Sequence, residues 1–296
     1  MFLSWISSWV ALALGIGLAV LLGNPYEGRT SNLTKQLLKI SVVAIGFGYP
    51  ITAISELSVS SFYFVVIFIL IALLLGFIIG KILKVERRTA DLITSGTSIC
   101  GASAIAAIAS SIRANEKQLS IALGTVFILS ASSLLFFPMI GNYLKLTQEQ
   151  FGLWAGLSIH DTASAIGAAI DFDQFFNQDI AEKVATIIKL SKVIFIVPLV
   201  FLGAFLYKEG NKNLSIPYFI VFFLLAMFLN SNFPEFNGFS FIKLAGKKGL
   251  QISLFLIGTN LSFNNLRAIG FRPFLHGLLL WLAISISSLI AILLYF

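Results

Sequence analysis

The sequence predicts an all-α, polytopic membrane protein of about ten spanning helices. Three observations predict it. The chain of 296 residues is 58% hydrophobic with mean hydropathy +0.95, and only 11% of its residues are charged. A soluble protein of this length could not hide so much apolar surface, so the solvent is lipid and the bilayer is a partner. The 29 Phe, gathered in runs such as 61–76 (SFYFVVIFILIALLLG), suit lipid-facing helix surfaces. Finally, apolar windows of about 20 residues recur along the whole chain with charge or proline between them. The net charge of +7 is spread over loops and needs no nucleic acid. The single Cys100 excludes an intramolecular disulfide and any CxxC metal site. No metal, cofactor or Walker A motif is present, which argues against a primary pump.

The spans follow in order. The first, near 4–23, has no basic segment ahead of it, reads as a spanning helix rather than a cleavable signal, and ends at Asn24-Pro25. The second, near 33–54, contains Pro50, which should kink it. The third runs near 58–81, the fourth near 91–112, the fifth near 117–141 and the sixth near 150–170. Pro198 should kink the seventh, near 180–207. The eighth (214–231) and tenth (272–295) open with Pro217 and Pro273 in the first turn, where a missing N–H costs nothing; the ninth runs near 244–264. The spans near 91, 150 and 244 are the least hydrophobic. Trp5, Trp9, Trp154 and Trp281 read as anchors at the membrane interface. With ten spans, the loops rich in Arg and Lys (Arg29, Lys81, Lys84, Arg87, Arg88, Lys145, Lys208, Lys212, Arg267) share one side. Basic loops stay cytoplasmic, so both termini should lie outside.

The chain also resembles itself. LLKISVV (Leu37–Val43) echoes IIKLSKV (Ile187–Val193), SASSL (Ser130–Leu134) echoes SISSL (Ser285–Leu289), and GTS (Gly96–Ser98) echoes GTN (Gly258–Asn260), all offset by about half the chain. This order predicts two five-helix repeats, 1–141 and 142–296, forming one integral membrane unit. Five is odd, so the copies would be inverted, which is the plan of secondary transporters. In that plan the unusual segments at matching positions, the fourth and ninth spans, break and form the binding site.

Thr94–Ser111 (TSGTSICGASAIAAIASS) is the wrong material for facing lipid, since its large aliphatics are only Ile99, Ile105 and Ile108. Gly96 and Gly101 permit unwinding, and a half-helix N-terminus there would suit an anion. Thr97, Ser98 and Ser103 add hydroxyls. The plainer reading is a small-residue helix contact without ligand, with Cys100 a small buried apolar side chain. His160 and Asp161, followed by Thr162, lie inside the sixth span. An ionised Asp at bilayer depth costs about 2.5–3.5 kcal/mol, so it should face a cavity or a partner. Histidine changes charge near neutral pH, which suits proton coupling. A structural hydrogen-bonded pair, or a place near the interface, fits the same residues. Lys189 and Lys192, one turn apart on a helix face, could draw an anion inward, pair with Asp161, or snorkel to water. Thr259 and Asn260 offer polar groups where the ninth span should open, or a simple polar crossing contact.

GTSICGASAIAA (Gly96–Ala107), FGLWAGLSIHDTA (Phe151–Ala163) and KLSKV (Lys189–Val193) carry a family resemblance over essentially the whole chain. The sequence resembles the YeiH-like family of bacterial inner-membrane proteins named as sulfate exporters. Their fold is similar to that of the bile acid:sodium symporter superfamily, two inverted five-helix repeats with crossed, broken helices. Members commonly begin with an extra hydrophobic helix that has no counterpart in this sequence, and SAIGAA follows HDTA where relatives often carry a bulkier run. The resemblance implies a multi-pass inner-membrane carrier of sulfate or a related oxoanion or sulfonate, working by alternating access.

The expected site therefore holds a small anion at Gly96, Thr97, Ser98, Cys100, Gly101, Ser103, Thr259 and Asn260. Lys189 or Lys192 would balance its charge, His160 and Asp161 would handle a coupling proton, and Asp161 could instead take a sodium ion. Assembly as a homo-oligomer is compatible with this plan. Two other classes fit some of the residues: an intramembrane enzyme using His160, Asp161 and Cys100, and an anion channel.

Overall fold

The computed structural model describes residues 7–24, 27–53, 59–176, 178–207, 218–260 and 269–296, and among these it contains helices and no strand. In chain order the helices are α1 (Ser8–Leu22), α2 (Glu27–Gly46), α3 (Val59–Ile82), α4 (Arg87–Ser98), α5 (Ala102–Ser111), α6 (Glu116–Tyr143) and α7 (Gln148–Ser158), followed by α8 (Thr162–Asp173), α9 (Ile180–Ile194), α10 (Ile196–Tyr207), α11 (Tyr218–Asn232), α12 (Gly238–Thr259) and α13 (Phe271–Tyr295). Four stretches are long and apolar enough to cross a membrane: Ser61–Ile82, Glu116–Tyr143, Ile180–Tyr207 and Phe271–Tyr295. Their outer faces carry large apolar residues such as Phe62, Leu70, Phe77 and Phe136, as a lipid solvent requires.

Helix ends follow local chemistry. A capping box of Asn115 with Gln118 opens α6, and one of Thr147 with Gln150 opens α7. Pro273 sits in the first turn of α13 as expected. Pro198 falls in the first turn of α10, just after the interruption at Phe195. Pro50 does not kink the second span. It follows the helix, because α2 already ends at Gly46 and the chain turns through Phe47–Tyr49. Trp5, Pro25, Lys208, Lys212, Pro217 and Arg267 lie outside the described residues.

The chain forms two compact units. In the first, α12 packs against α1 and α2, and α11 against α2. Gly15 and Gly258 let α1 and α12 touch backbone to backbone: a Cβ on Gly15 would lie 3.0 Å from Gly258 Cα. Thr259 and Asn260 belong to this unit. The Asn260 Oδ1 accepts from Thr30 Oγ1 at 2.7 Å and Asn24 Nδ2 at 3.0 Å, while the Thr259 carbonyl accepts from Asn24 Nδ2 at 3.1 Å. These bonds tie the end of α12 to the α1–α2 connection.

The second unit holds α3 to α10 with α13. Its core is aromatic. Phe137 stacks on Trp154 at 4.0 Å, Phe151 on Phe172 at 4.0 Å, and Trp281 lies 6.1 Å from Phe137. Trp154 and Trp281 are therefore buried core residues rather than interface anchors. The Trp154 Nε1 donates to the Ser285 carbonyl at 2.9 Å, so its polar edge is satisfied inside the protein rather than at a headgroup.

Candidate functional site

The fourth span breaks where its small residues are. α4 ends at Ser98, and the backbone passes through Ile99 (φ −116°, ψ −89°) to Gly101 (φ +63°, ψ −125°) before α5 begins. An L side chain rarely adopts the Gly101 conformation. Space is tight too, since a Cβ there would lie 3.1 Å from the Cβ and 3.2 Å from the Cα of Asp161, which would have to give by a few tenths of an ångström. Gly96 has a different job. It stays helical and lets Ile105 and Val126 pack close.

A second helix breaks opposite the first. α7 ends at Ser158, Ile159 is extended (φ −74°, ψ 135°), and Asp161 (φ −95°, ψ 158°) caps α8 by accepting from Ser164 N at 2.9 Å. Among the described residues, the interruption that meets the fourth span's is in the sixth span. Of the ninth span, α12 is helical to Thr259, with Gly258 packed closely on α1, and residues 261–268 lie outside the described residues. Thr259 and Asn260 belong to the first compact unit.

Both α4 and α7 end at the crossing, and both α5 and α8 begin there. Helix ends leave carbonyls without intrahelical donors and carry about −0.5 charge. Two lysines meet them. Lys189 Nζ donates to the Ile159 carbonyl and, at 3.4 Å, to the Ile99 carbonyl, bridging the two interruptions; Lys192 Nζ donates to the Leu157 carbonyl at 2.8 Å. They reach those carbonyls because α9 packs on α7 through Gly152 and Gly156. A Cβ at either would lie 2.7 Å from Val184 or Ile188. The lysines are 0% and 1% exposed, which rules out snorkelling, and neither makes an ion pair among the described residues.

Other expected site residues divide. Cys100, Gly101, His160, Asp161, Thr162, Lys189 and Lys192 are buried at or beside the crossing. Thr97 and Ser98 donate their hydroxyls to their own helix, to the Ile93 and Ser95 carbonyls at 2.9 and 3.1 Å. Ser103 is exposed on α5. Residues not foreseen also belong to the neighbourhood. Ser158 and Ser288 share a 2.7 Å hydrogen bond, and His160 faces Trp281 of α13 with ring centroids 6.4 Å apart. The signal for this was SISSL, whose small hydroxylic residues let α13 approach α7.

One group of carboxylates could in principle hold a metal among the described residues: Asp173, Asp179 and Glu182, with ligand atoms within 4.8 Å of one another. Asp173 already works as a cap there, its oxygens accepting from Ala181 N at 3.0 Å and Glu182 N at 2.8 Å.

Residues 6–240 match the family model described as conserved hypothetical protein 698. The chain is similar to a UPF0324 membrane protein of Bdellovibrio bacteriovorus, 42% identical over 299 residues covering 99% of this chain and 90% of the relative. A UPF0324 membrane protein of Bacteroides thetaiotaomicron is 42% identical, with 97% and 86% covered, and one of Photobacterium profundum is 43% identical, with 98% and 87% covered. No solved structure matches the chain.

Proposed function

We propose a carrier function for this chain, which belongs to the conserved hypothetical protein 698 (UPF0324, YeiH-like) family of bacterial membrane proteins. The protein is a secondary active transporter of a small anion, sulfate or a related oxoanion or sulfonate, working by alternating access. One observation carries this reading: two helix interruptions meet, and two buried lysines face them. At the crossing, among the described residues, two buried lysine side chains stand with one carboxylate, that of Asp161. The half-helix dipoles, two ends of each sign, roughly cancel. An anion supplies the charge that is missing.

The lysines hold helix-end carbonyls, so they act on the solute through their field and through the backbone they position. Asp161 is engaged as a helix cap. That supports a carrier over a catalyst, since an engaged carboxylate is a poor general base. The interruptions lie one in each proposed half, 1–141 and 142–296, though not at matching positions of the two halves. Coupling to a proton at His160, or to sodium near Asp161, completes the proposal.

The test is reconstitution. Purified protein in vesicles should take up radiolabelled sulfate saturably, exchange it against internal sulfate, and respond to an imposed pH or sodium gradient. Flux that never saturates and shows no exchange would identify a channel. Absence of flux for sulfate, sulfite and small sulfonates alike would remove the anion assignment.

A further inference from the structure

His160 is fully buried beside the crossing, and neither Nδ1 nor Nε2 has a hydrogen-bond partner among the described residues. A neutral imidazole presents one donor and one acceptor. Leaving such groups buried and unpaired costs about 1–3 kcal/mol each. The neighbouring Trp281 Nε1–H is likewise without a partner among the described residues. One turn along the same face of α13, so is the Ser285 hydroxyl. The Ser285 carbonyl, by contrast, is held by Trp154. The charged groups facing His160 are Lys189, Lys192 and the adjacent Asp161, and each is bonded elsewhere.

The chemistry of these orphans selects their occupant. Indole N–H only donates, so whatever meets Trp281 must accept. The unprotonated imidazole nitrogen only accepts, so the occupant must also donate. An oxoanion without a proton cannot do both. Water can, and buried water characteristically bridges two to four polar groups of this kind. We infer that His160, Trp281 and Ser285 line an internal hydration site, and that the water held there exchanges protons with the His160 imidazole. His160, rather than the engaged Asp161, is then the proton-handling side chain of the crossing. The site does not depend on the carrier reading, because a hydrated His160 would stand in a protein that transports nothing.

The chain holds two histidines, His160 and His276, so ring nitrogen-15 labelling of the full-length protein in nanodiscs gives signals that a His276→Gln variant assigns. Should that variant not fold, loss of signal in His160→Asn serves the same purpose. The His160 ring N–H should show a cross-peak to water and exchange into deuterated buffer about 100-fold faster than the backbone amides of α13. Ring nitrogen shifts typical of unbonded imidazole, or exchange as slow as those amides, would overturn the inference.

Discussion

Replacing Lys189 by Met removes an ammonium from between the two interruptions while keeping nearly all the side chain's volume. The ammonium donates to the Ile159 carbonyl and, at 3.4 Å, to that of Ile99. Losing a charge-assisted bond to a buried carbonyl costs about 1.5–3 kcal/mol. Against that, a lysine charge at bilayer depth costs about 2.5–3.5 kcal/mol, which the variant no longer carries. The terms are similar in size and opposite in sign, so the fold should survive with a stability change under about 2 kcal/mol. Anion binding should not survive. A ligand at 100-fold its Kd stabilises the wild type by about 2.7 kcal/mol. At about 2–4 °C per kcal/mol, that raises the thermal midpoint by about 5–10 °C. The assay is thermal unfolding in detergent with and without sulfate. The wild type should show that rise, and Lys189→Met should shift by less than about 2 °C. If the variant keeps the full rise, the lysine field is not what holds the anion, and the reasoning fails.

Asp161→Asn keeps a good helix cap, so the variant should fold normally and keep pH-driven uptake yet lose sodium-driven uptake; undiminished sodium-driven uptake would remove Asp161 from the mechanism. Gly101→Ala meets both a left-handed backbone and the Asp161 Cα at 3.2 Å. It should lower stability by at least about 1–2 kcal/mol, read as a drop in thermal midpoint, and an unchanged midpoint would contradict the observed turn. Trp154→Phe keeps the stack on Phe137 but loses the 2.9 Å bond to Ser285, which should cost about 1 kcal/mol in thermal unfolding. Cys100→Ala should transport like the wild type, and loss of turnover would favour an enzyme.

The sequence made the membrane class, the all-helical plan and the first interruption legible, because hydropathy and small-residue runs are local. Pairing the interruptions was harder. GTS and GTN match as strings, but a string does not say whether a glycine is used for its backbone freedom or its size. Gly96 and Gly258 both turned out to serve close packing, and Gly101 alone makes the turn. The second interruption contains no glycine. Its signal was Asp161 followed by Thr-Ala-Ser inside an apolar stretch, an N-cap pattern that implies a helix start mid-membrane. The lysine roles were not legible either, since Lys189 meets Ile99 only after Gly152 and Gly156 seat α9 against α7. Trp154 and Trp281 misled for a related reason. The interface preference of tryptophan assumes that its N–H finds a headgroup, and here Trp154 finds a serine carbonyl.

The central claim is that two spans are interrupted at one place with a lysine between them. An experimental density map of the protein in a lipid nanodisc with sulfate tests it most directly. The account predicts helices broken at Ile99–Gly101 and Ile159–Asp161, the Lys189 ammonium between them, and anion density beside that crossing. Two continuous helices, or Lys189 and Lys192 extended toward a membrane surface, would contradict it.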